Sequence, residues 1–223
     1  MKIAFLHTAD VHVVTFDTLL NQLGFDGTVR HVVRPDLLAR ARTDGVETVA
    51  GEARAVMTDL SQADAVMCTC STLGPIADEV AQQIHHLFRI DEPMIQAACA
   101  HGPDILVVMC LPSTQAPTLA LLERCAARRE VTISPRLLKC PEAWCHFEAG
   151  DGDAFAQVLA RSIRAHITQT SPPDCVVLAQ ASMSVAASRL NDLDMPVFSS
   201  PLLAARRVIK IAAGSVCRSM PEG

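Results

Sequence analysis

The sequence predicts an α/β protein of two similar lobes, each a four-stranded parallel sheet flanked by helices, related to one another by a pseudo-twofold axis. Short apolar runs alternate with longer amphipathic stretches, which is the pattern of βα units. Several of the runs are apolar throughout, as expected for strands that are covered on both faces. The first four runs recur in the same order about a hundred residues later, which indicates a duplicated unit.

Eight runs are predicted to be strands. They span residues 2–6, 27–33, 64–69, 86–90, 104–110, 130–134, 174–180 and 195–199. The amphipathic stretches predict helices at residues 16–23, 36–42, 46–62, 76–85, 92–101, 116–129, 154–170, 181–191 and 201–213. One of residues 151–153 is expected to cap the long helix that follows it.

The third and seventh runs have similar sequences. Asp64 opens Asp-Ala-Val-Met-Cys-Thr-Cys-Ser-Thr, and Asp174 opens Asp-Cys-Val-Val-Leu-Ala-Gln-Ala-Ser. We interpret the repeat as an old duplication, with lobe one at residues 1–92 and lobe two at 93–201. The last helix, within residues 202–223, is expected to pack back on lobe one.

The composition excludes several classes of protein. The chain has 223 residues, of which 50% are hydrophobic and 19% charged, so it can bury a full core. A net charge of −5, no basic stripe and no Tyr argue against a nucleic-acid partner. The longest apolar run, at residues 105–111, is far short of the roughly 20 residues of a membrane span, and the N-terminal apolar stretch is too short for a signal peptide. We therefore predict a cytoplasmic protein with no membrane partner.

The nine cysteines are predicted to be free thiols. Their number is odd, and no Cys-x-x-Cys pair occurs. This argues for a reducing compartment and against a disulfide framework. Cys140, Cys145 and His146 could suggest a metal site, but without a second convergent pair they match zinc only weakly. Four of the cysteines lie within apolar runs and are expected to pack as small hydrophobic residues, namely Cys99, Cys110, Cys125 and Cys175.

Polar residues follow most of the predicted strands. In open α/β sheets the ligand binds beyond the carboxyl ends of the strands. Two related lobes that face each other would bring both sets of strand ends into one cleft. The residues expected there are His7, Thr8 and Asp10 after strand one, Cys70, Ser71 and Thr72 after strand three, Ser113 and Thr114 after strand five, Gln180 and Ser182 after strand seven, and Ser199 and Ser200 after strand eight.

Cys70 is the main catalytic candidate among these residues. It follows a strand and shortly precedes a helix expected to begin near Pro75, and the N–H groups of a helix end favour a thiolate. Ser71 and Thr72 add hydroxyl donors for a carboxylate, and we expect Cys70 to be exposed in the cleft. The alternative, a buried cysteine at a strand end, stays open. Cys68 lies one layer deeper and is expected to be structural.

Four segments resemble the aspartate/glutamate/hydantoin racemase superfamily. They are residues 64–74 with their Cys-Ser-Thr, residues 89–94, 111–118 and 148–151, and the doubled layout is also similar. The resemblance implies an enzyme that works without a cofactor or metal on the carbon next to the carboxylate of a small acid or amino acid. Racemases of the superfamily use one Cys from each lobe, on opposite faces of the substrate. Other members are single-Cys decarboxylases or maleate isomerases with a nucleophilic Cys.

Carried onto this chain, the resemblance assigns the first thiol to Cys70 and the position of the second to Gln180. Glutamine cannot donate or accept a proton at a useful pKa, so this departure argues against ordinary two-thiol racemisation. We predict an isomerase in which Cys70 is the acid/base or nucleophile. The groups expected to hold substrate oxygens are Ser71, Thr72, Ser113, Thr114, Gln180 and Ser182.

Another side chain could replace the second thiol. His7 and Asp10 follow strand one and could act as acid or base, with His12 close by. Asp10 could equally cap the next turn or helix, and Ser113 and Thr114 are expected to cap the helix after strand five. Arg136, expected just after strand six, could bind an acid group or lie on the surface. A single-thiol decarboxylase of a small dicarboxylic acid and a non-catalytic small-acid binding protein are the alternative functions. A homo-oligomer is left open.

Overall fold

The structure is a computed structural model that describes residues 1–219, with side chains through residue 215. The chain forms two compact units. Unit one is Met1–Ile90 together with residues 201–219, and unit two is Asp91–Ser200. The part of the predicted last helix at residues 220–223 lies outside the described residues.

Eight strands and nine α-helices lie within the described residues. The strands are β1 (Lys2–His7), β2 (Thr28–Val33), β3 (Ala65–Cys68), β4 (Leu87–Arg89), β5 (Asp104–Met109), β6 (Ser134–Lys139), β7 (Cys175–Leu178) and β8 (Val197–Ser199). The helices are α1 (Val11–Gln22), α2 (Pro35–Thr43), α3 (Ala50–Asp59), α4 (Gly74–Ala81), α5 (Glu92–His101), α6 (Gln115–Arg129), α7 (Trp144–Glu148), α8 (Gly152–Gln169) and α9 (Ser200–Ser219). Short 3₁₀ helices span Val46–Val49, Leu60–Gln62, Pro112–Thr114, Pro141–Ala143 and Ala181–Leu190.

Each unit contains its own sheet, and the two sheets have the same topology. Each sheet is four-stranded and all parallel, with the order β2-β1-β3-β4 in unit one and β6-β5-β7-β8 in unit two. The register also matches, because Leu6 of β1 pairs with Cys68 and Val108 of β5 pairs with Leu178. The predicted α/β fold with two four-stranded parallel sheets is confirmed.

Helices cover both faces of the first sheet. Alternate β-strand residues point to opposite faces. Leu6 and Cys68 join a buried cluster with residues of α2, α3 and α4, including Leu37, Met57 and Ile76. Phe5, on the other face, stacks on Phe16 of α1 with ring centroids 5.0 Å apart.

The helix α8 shows how the sequence specifies an element of unit two. Its buried residues include Phe155, Leu159 and Ile163, which are spaced four apart and therefore share one face. The Asp151 carboxylate accepts a hydrogen bond from the Ala154 N–H at 2.9 Å and caps the first turn. The expected cap at residues 151–153 is therefore confirmed at Asp151.

The prediction for strand six was wrong. Its Val-Thr-Ile segment has high β propensity, but the helix α6 ends in a left-handed cap at Glu130 (φ 55°), and the strand begins only at Ser134. Pro135 lies inside β6, which is tolerated because β6 is an edge strand. Arg136 therefore lies within the strand rather than after it, and its Nε donates to Asp104 Oδ1 at 2.8 Å.

Several helix boundaries also differ from the prediction. The helix α1 begins five residues early, at Val11, because His12, Phe16 and Leu20 bury one face despite the β-branched residues between them. The predicted helix at 46–62 is α3 flanked by two 3₁₀ turns, and the one at 181–191 is a 3₁₀ helix. The short α7 was not predicted. No helix in the described part of the chain is both long and apolar enough to cross a membrane.

Candidate active site at the strand ends

Cys70 lies in a buried turn between β3 and α4. The Thr69 N–H donates to the Leu6 carbonyl at 2.9 Å, which extends the parallel ladder one residue beyond β3. Cys70 follows directly, and α4 begins four residues later at Gly74, one residue before the expected Pro75. Cys70 is only 6% exposed and packs in the cluster that contains Cys68 and Leu73. The expectation of an exposed thiol was therefore wrong, because the turn folds inward against α4.

The hydroxyl residues beside Cys70 are buried as well. Ser71 is 6% exposed and Thr72 is 4% exposed. The Ser71 carbonyl accepts the Gly74 N–H at 3.1 Å, which closes the turn. The turn thus places a thiol and two hydroxyls at the carboxyl end of β3, where water is largely excluded.

A buried arginine lies against this turn, and it was not among the site residues predicted from sequence. Arg89 ends β4, pairs in register with Cys68, and is 1% exposed. Its Nη1 donates to Asp78 Oδ2 at 2.9 Å. A Cβ on Gly74 would come within 2.3–2.6 Å of the guanidinium, so only glycine leaves room for it. The available signals were its place at a predicted strand end and at the start of residues 89–94, a segment that resembles the superfamily. Neither signal distinguishes a buried side chain from a surface one.

His7 is fully buried at the end of β1, within a chain of hydrogen bonds. Its Nδ1 lies 2.8 Å from Thr69 Oγ1, and its Nε2 lies 2.8 Å from His31 Nδ1. Burial, with smaller contributions from the nearby His31 and His12, lowers the pKa of His7 to about 3. His7 is therefore neutral near pH 7 and can serve as a hydrogen-bond donor or acceptor, but not as a cationic acid.

The other residues after β1 differ in exposure. Burial lowers the pKa of His12 to about 4, so this imidazole is also neutral at pH 7. Asp10 is exposed and precedes α1, but its side chain makes no capping hydrogen bond. The Asp10 carboxylate therefore does not cap α1, and it stays accessible to a ligand.

In unit two, Gln180 occupies the place that Cys70 has in unit one. The Ala179 N–H donates to the Val108 carbonyl at 3.0 Å, as the Thr69 N–H does to that of Leu6, so Gln180 follows at the matching position. Its Oε1 accepts the backbone N–H groups of Cys110 at 2.6 Å and Leu111 at 3.1 Å. Because both donors are backbone N–H groups, the side-chain oxygen is identified without ambiguity. The amide nitrogen, with two N–H donors, therefore points the other way.

Other hydroxyls follow the strands of unit two. Thr114 is buried at the start of α6 but makes no side-chain capping bond, so its expected capping role is wrong. Ser113 lies in the 3₁₀ helix Pro112–Thr114, and Ser182 is half-buried near the start of the 3₁₀ helix Ala181–Leu190. Two buried hydroxyls, Thr118 Oγ1 and Ser200 Oγ, have no hydrogen-bond partner within the described residues.

The remaining thiols have a different character. Burial raises the pKa of several of them, to about 11 or 12 in four cases, so they stay protonated at neutral pH. These are Cys99, Cys110, Cys125, Cys140 and Cys175. Cys145 is exposed, and the side chain of Cys217 lies outside the described residues. Within the described part, no three His, Cys, Asp or Glu side chains come together as a metal ligand set.

Known proteins share this fold. The glutamate racemase of Francisella tularensis subsp. tularensis SCHU S4, solved with D-glutamate, is 13% identical over 96% of this chain and 82% of that one, with a TM-score of 0.73. The Picrophilus torridus aspartate racemase is 15% identical over 95% and 94%, with a TM-score of 0.68. The allantoin racemase of Klebsiella pneumoniae is 16% identical over 96% and 88%, with a TM-score of 0.64. No curated protein matches the chain.

The sequence itself carries the family assignment. The family model for Asp/Glu/hydantoin racemases matches residues 16–208, which is most of the chain. This range includes the Cys-Ser-Thr turn after β3 and the matching turn at Gln180. The chain therefore belongs to the Asp/Glu/hydantoin racemase family, a family of isomerases, as its motifs and its doubled sheet predicted.

Proposed function

We propose that this protein is a cofactor-independent enzyme that moves a proton at the carbon next to the carboxylate of a small acid or amino acid, using Cys70 as its single thiol. The observation that carries the proposal is Gln180, which stands at the position of the second thiol and is held there by two backbone N–H groups. Unit two therefore offers no titratable group at this position, while unit one keeps its cysteine.

In the proposed reaction, the Cys70 thiolate removes the proton from the α-carbon. The C–H bond breaks, its electron pair moves onto the carboxylate as an enediolate, and the proton resides on Cys70 Sγ. The Ser71 and Thr72 hydroxyls hold the carboxylate oxygens, as the resemblance implies. Ser113, Thr114 and Ser182 are the corresponding candidates in unit two. The Arg89 guanidinium lies beside the turn, against Gly74, and is paired there with the Asp78 carboxylate.

Gln180 contributes a hydrogen bond rather than a proton. Its oxygen is occupied, so its amide N–H groups are the part that can meet a ligand oxygen. A donor held in place by the protein stabilises the negative charge that develops on an oxygen in the transition state. His7 and Asp10 stay the candidates for any additional acid or base, with His7 acting as a neutral imidazole and Asp10 as a carboxylate.

The same observation favours a second candidate function, a single-thiol decarboxylase of a small dicarboxylic acid. In this reaction the bond from the α-carbon to one carboxylate breaks, CO₂ leaves, and the electron pair forms an enediolate that the Cys70 thiol protonates. Only one proton donor is required, which suits a chain with one thiol and one amide donor at the two matching positions.

The proposal is tested by following α-proton exchange in D₂O by NMR. The panel is aspartate, glutamate, allantoin and a 2-substituted malonate, the last also assayed for CO₂ release. We expect exchange or CO₂ release with at least one compound, its loss in Cys70→Ser, and its retention in Cys145→Ser, which removes an exposed thiol. Turnover that survives in Cys70→Ser, or its absence with every compound, would contradict the proposal.

A further inference from the structure

Four side chains form a continuous hydrogen-bonded chain from the buried end of β1 to the protein surface. Thr69 Oγ1 lies 2.8 Å from His7 Nδ1, and His7 Nε2 lies 2.8 Å from His31 Nδ1. His31 Nε2 lies 3.0 Å from Asp17 Oδ1. Thr69 and His7 are buried, whereas the Asp17 side chain is 56% exposed. This chain of hydrogen bonds therefore connects Thr69, the residue directly before Cys70, to solvent.

Ring packing holds the two histidines in this arrangement. The His7 and His31 rings lie edge to edge and nearly coplanar, with centroids 5.1 Å apart, as the hydrogen bond between them requires, and the Phe5 ring is nearly parallel to both. Phe16 of α1 lies against His7 with ring centroids 5.9 Å apart. Neither imidazole can turn its nitrogens to new partners without breaking both of its hydrogen bonds in this chain. The partners of each ring nitrogen are thus fixed, and only the protons can change place.

One proton arrangement keeps both histidines neutral. His7 carries its single proton on Nε2 and donates it to His31 Nδ1. His7 Nδ1 then accepts the Thr69 hydroxyl, and His31 donates from Nε2 to the Asp17 carboxylate. Every hydrogen bond of the chain runs outward in this arrangement, from Thr69 to Asp17.

The other arrangement contains one more proton. His7 carries its proton on Nδ1 and donates it to Thr69 Oγ1, whose own hydroxyl donates to the Leu6 carbonyl at 3.1 Å. His7 Nε2 then accepts from His31 Nδ1–H, and His31 still donates from Nε2 to Asp17. Since both nitrogens of His31 now bear protons, His31 is an imidazolium. Thr69 and His7 keep their number of protons, and His31 gains one from water.

We propose that His31 and Asp17 are positioning residues: the protonation of His31 beside Asp17 determines which nitrogen of His7 carries its proton, and hence where the Thr69 hydroxyl points, one residue before Cys70. The titratable groups that contact His31 are His7 on β1 and Asp17 on α1. His12 on α1 lies against His7, with ring centroids 6.2 Å apart, and Arg30, beside His31 on β2, is paired with Asp59. A carboxylate that orients an imidazole in this way selects its tautomer. The inference rests on the proposed function only for placing a ligand at this end of the sheet.

The test is ¹⁵N NMR of the histidine rings in the full-length protein without ligand. The chemical shift distinguishes a ring nitrogen that bears a proton from one that does not. In spectra recorded at a series of rising pH values, we expect the His7 proton to move from Nδ1 to Nε2 as His31 loses its charge. His7 itself stays neutral throughout, because burial holds its pKa at about 3.

Substitutions within the hydrogen-bonded chain are compared with substitutions outside it. His31→Gln should abolish the change at His7, and Asp17→Asn, at an exposed position, should move the change to lower pH because the imidazolium loses its carboxylate. Asp26→Asn, also exposed, is the matched control and should leave the change unaltered. The proposal is overturned if His7 keeps one tautomer across the range in the wild type, if the change survives in His31→Gln, or if only His12→Gln removes it. None of these readouts needs catalysis, so they stand apart from the test of Cys70.

Discussion

Replacing Gln180 by leucine is expected to destabilise the protein strongly, although leucine has a similar size. The substitution removes the acceptor of two backbone N–H groups, those of Cys110 at 2.6 Å and Leu111 at 3.1 Å. Both residues are buried, at 3% and 4% exposure. Leaving a buried donor without a partner costs about 1–3 kcal/mol, so the two together lower the free energy of unfolding by about 2–6 kcal/mol. A typical domain has only about 5–15 kcal/mol in total.

Gln180→Glu is the matched variant. Its carboxylate offers an oxygen to the same two N–H groups but has no N–H donor to offer a ligand. We expect its free energy of unfolding at neutral pH to fall less than that of Gln180→Leu, because two charge-assisted hydrogen bonds offset part of the cost of burying the carboxylate. Both variants should lose affinity for a carboxylate ligand, since both lose the amide donor.

Two measurements report on this pair of variants. Urea unfolding gives the free-energy change, and hydrogen exchange at the Cys110 and Leu111 amides locates it, because these amides should lose protection in Gln180→Leu and keep it in Gln180→Glu. The reasoning is refuted if Gln180→Leu unfolds at the same urea concentration as the wild type with both amides still protected. An equally large loss in Gln180→Glu would refute it as well.

Three further predictions follow from burial. Gly74→Ala should lower the free energy of unfolding in urea by about 1–3 kcal/mol, because the new Cβ meets the buried Arg89 guanidinium; an unchanged midpoint would contradict this contact. The buried His7 and His12, with pKa values of about 3 and 4, bind protons more weakly than they do in the unfolded chain. The free energy of unfolding therefore has its full value above about pH 6.5, and it falls by about 3–5 kcal/mol per histidine as the pH drops to these pKa values. Urea unfolding between pH 4 and pH 7 should show this slope, and His12→Gln should make it shallower; an equal slope in the variant would count against it. Brief iodoacetamide treatment followed by peptide mass mapping should label Cys145 first among the eight cysteines with described side chains, because it alone is exposed; an earlier label on any buried thiol would contradict that burial.

The sheet could be predicted from the sequence because its signals are local and repeated. Apolar β-rich runs mark the strands, and the duplication gives each strand a counterpart with the same neighbours. Strand six shows the limit of this approach. Val131 and Ile133 have strong β propensity, yet they lie in the connection between α6 and β6. Pro135 argued against a strand at its own position, although an edge strand such as β6 tolerates proline.

The candidate site could be predicted in position but not in its interactions. Cys70 and Gln180 were identified as matching positions, because both follow a strand of the repeat. Their burial and hydrogen bonds depend on residues distant in sequence. The Gln180 acceptor role involves N–H groups about 70 residues away, and His31 lies 24 residues from His7. Arg89 was missed for the same reason, because only the folded chain places its guanidinium against Gly74.

The central claim, one thiol at the reacting carbon, is tested most directly by the stereochemistry of proton exchange. An amino acid that the protein binds is incubated with it in D₂O, and its α-carbon is analysed by mass spectrometry and chiral separation. One base serves one face, so we predict that deuterium enters with retention of configuration, that Cys70→Ala abolishes its entry, and that Gln180→Cys introduces some inversion. Rapid inversion by the unmodified protein would contradict the account and would require a second acid or base, with His7, Asp10 and His12 as the candidates.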